Sequence, residues 1–202
     1  MATALNLNRK RDTRRGVLLF LAVVLIAEPR FAPLESFLNS IQEIVGGLLI
    51  AAAAIGRIYT TAFIGGHKNE TLVTYGPFSI CRNPLYFFSF IGALGVGIIS
   101  HYLLFMIALP LLFCRIYFAL IAREEVFLRE QFGATYDVYC ARVPRFFPRL
   151  SLYQAPDTVI MKPEFLNKAL RDSLLWFLAI PFMELVEYIH TYGLIPYLIT
   201  LP

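Results

Sequence analysis

Five apolar runs, starting near Gly16, Ile44, Leu85, Tyr102 and Leu174, occupy most of the chain, and the polar breaks between them are short. A run of about 20 apolar residues is what a helix needs to cross the ~30 Å hydrocarbon core of a bilayer. In that core every backbone N–H and C=O must find its partner inside the protein, so runs of this kind are read as helices. Composition agrees: 58% of residues are hydrophobic, 16% are charged, and the mean hydropathy is +0.64. Soluble domains carry nearer 25% charge. The expected fold is an all-α polytopic membrane helix bundle of about five transmembrane helices, in one domain, since 202 residues leave no room for a separate soluble unit.

The basic cluster from Arg9 to Arg15 ahead of the apolar stretch Gly16 to Ala27 has the layout of a secretory signal. No small-x-small cleavage pattern follows near Ala27, so it is read as a retained first span, short unless its helix continues past Glu28 and Pro29. The second span is expected from about Ile44 to Ile64, with Ser36 or Asn39 as N-cap and Gly46, Gly47 and Ala51 to Ala54 as a face for close helix approach. Arg57 lies within it, where a charge at the helix centre costs roughly 2.5–3.5 kcal/mol. It either snorkels to the interface or faces a site. The third and fourth spans, Leu85 to Ser100 and Tyr102 to Ala122, meet in a tight turn near His101. Within the third, GALGVG from Gly92 to Gly97 echoes a dinucleotide loop, but it follows no strand and reads as helix packing. Pro110 should kink the fourth span, and Arg115 there needs a polar partner or an interface. In the last run, Glu184, Glu187 and His190 share a helical face that is turned inward or marks an interfacial helix. Pro181, Gly193 and Pro196 interrupt that run, leaving open a single span or several short helices.

The net charge of +4 follows loops rather than one basic face, which argues against nucleic acid. With the N-terminus cytoplasmic, fifteen of the 18 Lys and Arg fall on the inside, including Lys68 and Arg82 in the central loop, and only Arg30 falls outside. Cys81, Cys114 and Cys140 show no metal-ligand or disulfide spacing, so reduced thiols and no metal are expected.

Two polar stretches then lie on the cytoplasmic side. In TLVTYGPFSICRNPLY, Thr71 to Tyr86, Gly76-Pro77 forces a turn that exposes backbone groups, and Pro84 can open the next helix after an extended Asn83. Irregular backbone at membrane depth is tolerated where it lines a cavity. In REEVFLREQFGATYDVYCARVPRFFP, Arg123 to Pro148, the helix should continue to Gln131 and carry Glu124 and Glu125. Adjacent carboxylates point about 100° apart on a helix, so one can meet a ligand while the other pairs with an arginine. Tyr136 and Tyr139 at helical spacing, then VPRFF, suit a lid over something amphipathic.

Read together, GPFSICRNPLYF and REEVFLREQFGATYDVYCARVPRFFP resemble the isoprenylcysteine carboxyl methyltransferase and phospholipid methyltransferase superfamily over Leu72 to Pro148, in order and spacing. The single membrane domain then divides into residues 1–64 as the first two spans, which fit the family by hydropathy alone, 65–148 as the methyltransferase-like core that the resemblance implies, and 149–202 as a linker and apolar helical region. The resemblance implies S-adenosylmethionine as cofactor and a lipidic or prenylated acceptor methylated on a carboxylate, phosphate or amine. Val73, Tyr75, Gly76, Pro77 and Phe78 would form backbone and apolar walls for the cofactor. Arg82, Asn83 and Tyr86 would make its polar contacts, and Glu124 and Glu125 would meet its cationic or hydroxyl-bearing parts. Glu125, Asn83 and Arg82 carry the catalytic expectation, and Tyr136, Tyr139 and Arg145 the acceptor. Two departures stand out: Asn83 replaces the family's common histidine, and Phe88 a common glycine. An NADPH-dependent reductase of the sterol-reductase type and a non-catalytic membrane scaffold are the alternatives. The aspartate-glutamate pair and following cysteine usual in the former are absent at Glu124, Glu125 and Leu128.

Overall fold

The computed structural model describes residues 15–16, 18–29, 37–65, 71–159, 161–196 and 198–201. Arg30, Ser36, His67 and Lys68 lie outside them. The fold is helical apart from one pairing of two three-residue strands, β1 (Ala27–Pro29) and β2 (Ile199–Leu201), which run parallel. Residues 18–26 are helical and lead directly into β1. The first run therefore ends before Glu28, as the geometry imposed on a residue preceding proline favours. The Tyr102 hydroxyl fixes that end by donating to the Ala27 carbonyl at 2.6 Å.

The main helices are α1 (Phe37–Ile64), α2 (Pro77–Ile80), α3 (Pro84–Ile99), α4 (Leu103–Phe132), α5 (Ala134–Arg142), α6 (Pro163–Phe177) and α7 (Ala179–Thr191), with a 3-10 turn at Leu150–Leu152. Helix α1 starts earlier than its apolar core, so Asn39 does not cap it but lies buried inside it. Its inward stripe, Gly46, Ile50, Ala53, Ala54, Thr60 and Phe63, follows helical spacing and packs on α3. A Cβ added to Gly46 would stand 2.9 Å from the Gly95 carbonyl, and one on Gly95 would stand 2.8 Å from the Gly46 carbonyl. The two backbones touch there, which only small residues permit.

The glycines of GALGVG all serve packing, each against a different neighbour. Gly92 receives the Trp176 ring from α6, Gly95 receives α1, and Gly97 abuts the backbone of Phe105 in α4. Between α3 and α4 the chain reverses at His101, whose φ of 59° makes it a left-handed turn residue. The reversal is held by Ser100 Oγ, which donates to the Gly97 carbonyl at 2.6 Å.

Helix α4, at 30 residues, is about 45 Å long at 1.5 Å per residue. That exceeds the apolar thickness of a bilayer. Its final turns, which carry Glu124 and Glu125, stand beyond the apolar part of the helix. Among the described residues, α1 and α4 are long and apolar enough to cross a membrane, while α3 has 16 residues. About five full spans are thus not what the helix lengths show. Pro84 opens α3 one residue ahead of the expected Leu85, and the last run breaks at Leu178 into α6 and α7. The polar stripe of α7 does turn inward: Glu184, Glu187 and His190 share a cavity of about 90 Å³ with Glu43 and His101.

Candidate active site

The stretch after α1 is shaped by Gly76, at φ 60° and ψ −135°. A Cβ here would meet the Phe63 ring at 2.4 Å, so both the backbone conformation and the contact require glycine. Pro77 begins the four-residue α2, and Ser79 Oγ donates back to the Gly76 carbonyl at 2.7 Å. The whole turn is then tied to a strap that follows the second polar stretch. Gly76 N–H donates to the Gln154 carbonyl at 2.6 Å, and Gln154 N–H donates to Ser79 Oγ at 2.9 Å. Arg149 N–H reaches the Ile80 carbonyl, and Arg82 N–H reaches the Pro144 carbonyl, both at 2.9 Å.

Side chains repeat the stitching. Asn83 Nδ2 donates to the Arg145 carbonyl at 2.9 Å, and the Tyr139 hydroxyl donates to the Phe78 carbonyl at 2.7 Å. The Cys81 thiol, fully buried, donates to the Phe146 carbonyl at 2.9 Å, and burial pushes its pKa up to about 12. Cys81 is a protonated structural thiol, and the three cysteines are free. The two polar stretches form one structure.

Between them and the helices lies a cavity of about 730 Å³. That is within the range of small-molecule sites. Val73, Phe78, Arg82, Asn83, Tyr86, Glu124, Tyr136 and Tyr139 line it. Tyr75, Gly76, Pro77, Glu125 and Arg145 are not part of its lining.

The adjacent carboxylates divide as their angular separation demands. Glu124 faces the cavity, where its Oε1 accepts the Tyr86 hydroxyl at 2.8 Å. Glu125 turns the other way, between Arg145 at 2.9 Å and Arg82 at 3.5 Å. Its carboxylate and the Arg82 side chain are only about 15% exposed, so this is a largely desolvated cluster in which one carboxylate serves two guanidiniums. Gly133, at φ 53°, breaks α4 from α5 and swings Tyr136 and Tyr139 back over the cavity. Burial raises both phenol pKa values, so these rings remain neutral hydroxyl donors.

The cavity also takes in residues that motif reasoning did not assign, chiefly Arg57, Ser89, Tyr117 and Arg123. Their signal is helical spacing. Arg57 is seven residues before Ile64, Ser89 three after Tyr86, and Tyr117 seven before Glu124, and all six line the cavity. The guanidinium of Arg57 donates to Ser89 Oγ across the α1–α3 contact, which resolves its two possible placements in favour of the site. Arg115, by contrast, lies exposed on the outer face of α4.

The phospholipid methyltransferase family matches residues 41–135, from the second turn of α1 to the start of α5. The cobalt-zinc-cadmium resistance protein CzcN of Cupriavidus metallidurans is 37% identical over 158 residues, which are 78% of this chain and 72% of that protein. The nickel-cobalt-cadmium resistance protein NccN of Alcaligenes xylosoxydans xylosoxydans is 35% identical over 144 residues, 71% of this chain and 67% of that one. A probable protein-S-isoprenylcysteine O-methyltransferase of Oryza sativa subsp. indica is 28% identical over 116 residues, 56% of this chain and 61% of that protein. No solved structure matches the chain. The family match takes in α3, α4 and most of α1, which wall the cavity, and stops short of Tyr136 and Tyr139 on α5; the stitched motifs are those that the resemblance rested on. The chain therefore belongs to the family of phospholipid and isoprenylcysteine methyltransferases of membranes.

Proposed function

We propose that this protein transfers a methyl group from S-adenosylmethionine to a lipidic or prenylated acceptor, with the cavity end of the bundle facing the cytoplasm. The observation that carries this reading is the cavity itself. It is built by both motif stretches, is large enough for the cofactor, and presents one carboxylate, Glu124, between aromatic walls. Glu124 would hold the hydroxyl-bearing or cationic part of the cofactor. Phe78, Tyr86 and Val73 would pack on its apolar faces, and Arg82 and Asn83 would make the polar contacts at the loop. S-adenosylmethionine, when bound, supplies a methyl group made electrophilic by its sulfonium.

The protein then has to align donor and acceptor and keep water out, since displacement at a methyl carbon asks for geometry above all. Tyr136 and Tyr139 close the loop side over the cofactor, and the acceptor head group meets it from the inner side of the cavity. Asn83 offers no titrating group. Its side chain holds the VPRFF backbone in place, and Glu125 does the same for Arg82 and Arg145. We assign both a positioning role. The charge bias of the polar stretches supports the cytoplasmic orientation. Two relatives carry metal-resistance names, and among the described residues no three His, Cys, Asp or Glu side chains gather as a metal site. A part in metal resistance would run through the methylated product.

The test is calorimetric binding of S-adenosylmethionine to the full chain in neutral-lipid nanodiscs, followed by transfer of labelled methyl to membrane lipids. Wild type should bind, and Glu124→Ala should bind at least tenfold more weakly. Binding of NADPH with no binding of S-adenosylmethionine would overturn the reading.

A further inference from the structure

The cavity has an inner end that the cofactor reading leaves without a role. Along each wall, the lining runs from a residue near the loop to one deeper in the bundle: Ile64 to Arg57, Tyr86 to Ser89, Glu124 to Tyr117. Seven residues of helix are about 10 Å, so Arg57 and Tyr117 stand roughly that far below the loop side of the cavity.

The charge balance differs between the two ends. Near the loop, Arg82 and Arg145 share Glu125, Glu124 accepts the Tyr86 hydroxyl, and Arg123, the other lining cation there, is exposed to solvent. At the inner end, Arg57 forms no ion pair among the described residues. Asp172 on α6 stands beyond pairing distance of it. Its hydrogen bond goes to Ser89 Oγ, whose own proton is donated to the Leu85 carbonyl at 2.8 Å. Ser89 therefore acts as an acceptor that aims the guanidinium, and the buried Nε of Arg57 remains without a partner. A snorkelling arginine would extend its head to solvent. This one is anchored between α1 and α3 and opens on a cavity.

We propose that Arg57, aimed by Ser89, is the specificity-determining anion seat of the site, and that it selects acceptors carrying an oxyanion, either carboxylate or phosphate, on an apolar chain. A guanidinium's planar fork suits such a group, which it can bind through two parallel N–H donors. In the apolar half of the bundle that pairing would be little screened. The inference rests on the acceptor entering this cavity, as in the methyltransferase reading, and it concerns the acceptor alone. Ser89 is a positioning residue.

The experiment uses the full chain in neutral-lipid nanodiscs and three probes of equal length: dodecanoate, dodecyl phosphate and dodecanol. Wild type should bind at least one anionic probe tenfold or more tightly than dodecanol. Arg57→Gln should erase that preference while keeping S-adenosylmethionine affinity within about twofold. Arg57→Lys should retain part of the preference, and Ser89→Ala should weaken it severalfold. These two variants decide the matter if Arg57→Gln does not fold. Preference for dodecanoate or for dodecyl phosphate tells a carboxylate acceptor from a phosphate one. Equal binding of all three probes by wild type, or an unchanged preference in Arg57→Gln or in the two milder variants, would overturn the proposal. Failure of wild type to bind S-adenosylmethionine would remove the methyltransferase reading and leave the anion preference to be judged by the probes.

Discussion

Exchanging each of the adjacent glutamates for glutamine should separate cofactor contact from scaffolding. Glu125→Gln keeps the shape and removes the charge that joins Arg82 to Arg145. Removing one partner of a buried ion pair costs about 3–5 kcal/mol. Arg145 is 41% exposed and can rehydrate, so its share is small, and about 2–4 kcal/mol is the expected loss, most of it from Arg82. For a chain of this size that lowers the melting temperature by roughly 4–16 °C. Glu124→Gln leaves an amide oxygen to accept the Tyr86 hydroxyl, so it should cost only about 0.5–1.5 kcal/mol. Its effect should instead fall on S-adenosylmethionine affinity. The assay is a thermal melt of each variant in nanodiscs with a binding isotherm at a temperature where both are folded. Equal melting losses for the two variants would refute the division of roles, as would a Glu125→Gln protein that melts like wild type but has lost the cofactor.

Two further outcomes follow from the loop. Gly76→Ala combines a backbone conformation costing about 1–3 kcal/mol with a methyl driven into the Phe63 ring, so thermal melting should show a loss larger than that of Glu124→Gln, accompanied by loss of cofactor binding. Cys81, ordinarily titrating near 9.0 and raised by burial to about 12, should resist maleimide between pH 7 and 10 in the folded protein and react once unfolded, as read by mass spectrometry. The sign for stability follows: folding holds the neutral thiol, so this contribution is whole below pH 9 and is lost as pH rises toward 12.

Much of this arrangement was legible in the sequence because it was written in side chains. The glycines at 92, 95 and 97 announced close helix approach, the extension of α4 to Gln131 followed from its unbroken helical residues, and the motif spacing brought Asn83 and Glu124 into one site. What could not be read was carried by backbone groups. The strap from Arg149 to Gln154 holds the Gly76 turn through main-chain atoms, as β1 holds β2, and neither leaves a pattern in residue type. The two glutamates illustrate a middle case. Their divergence was forced by helix geometry, but which one faced inward depended on the register of α4 against Tyr86 and Arg145. The last apolar run was left open for a related reason, since hydropathy marks its extent without marking the break at Leu178.

The strap also sets how small a working version of this protein could be. The family model's match ends at residue 135 and the motifs end at Pro148, so a minimal unit drawn from either would stop by Pro148. Cut after Pro148, the chain would leave the Gly76 N–H, the Ser79 hydroxyl and the Ile80 carbonyl without the partners they have in Arg149 and Gln154. At about 0.5–1.5 kcal/mol each, those three hydrogen bonds approach the margin by which a small domain is stable. Any graft or trimmed form of this site therefore has to extend at least through Gln154, as the hydrogen bonds that close the loop require.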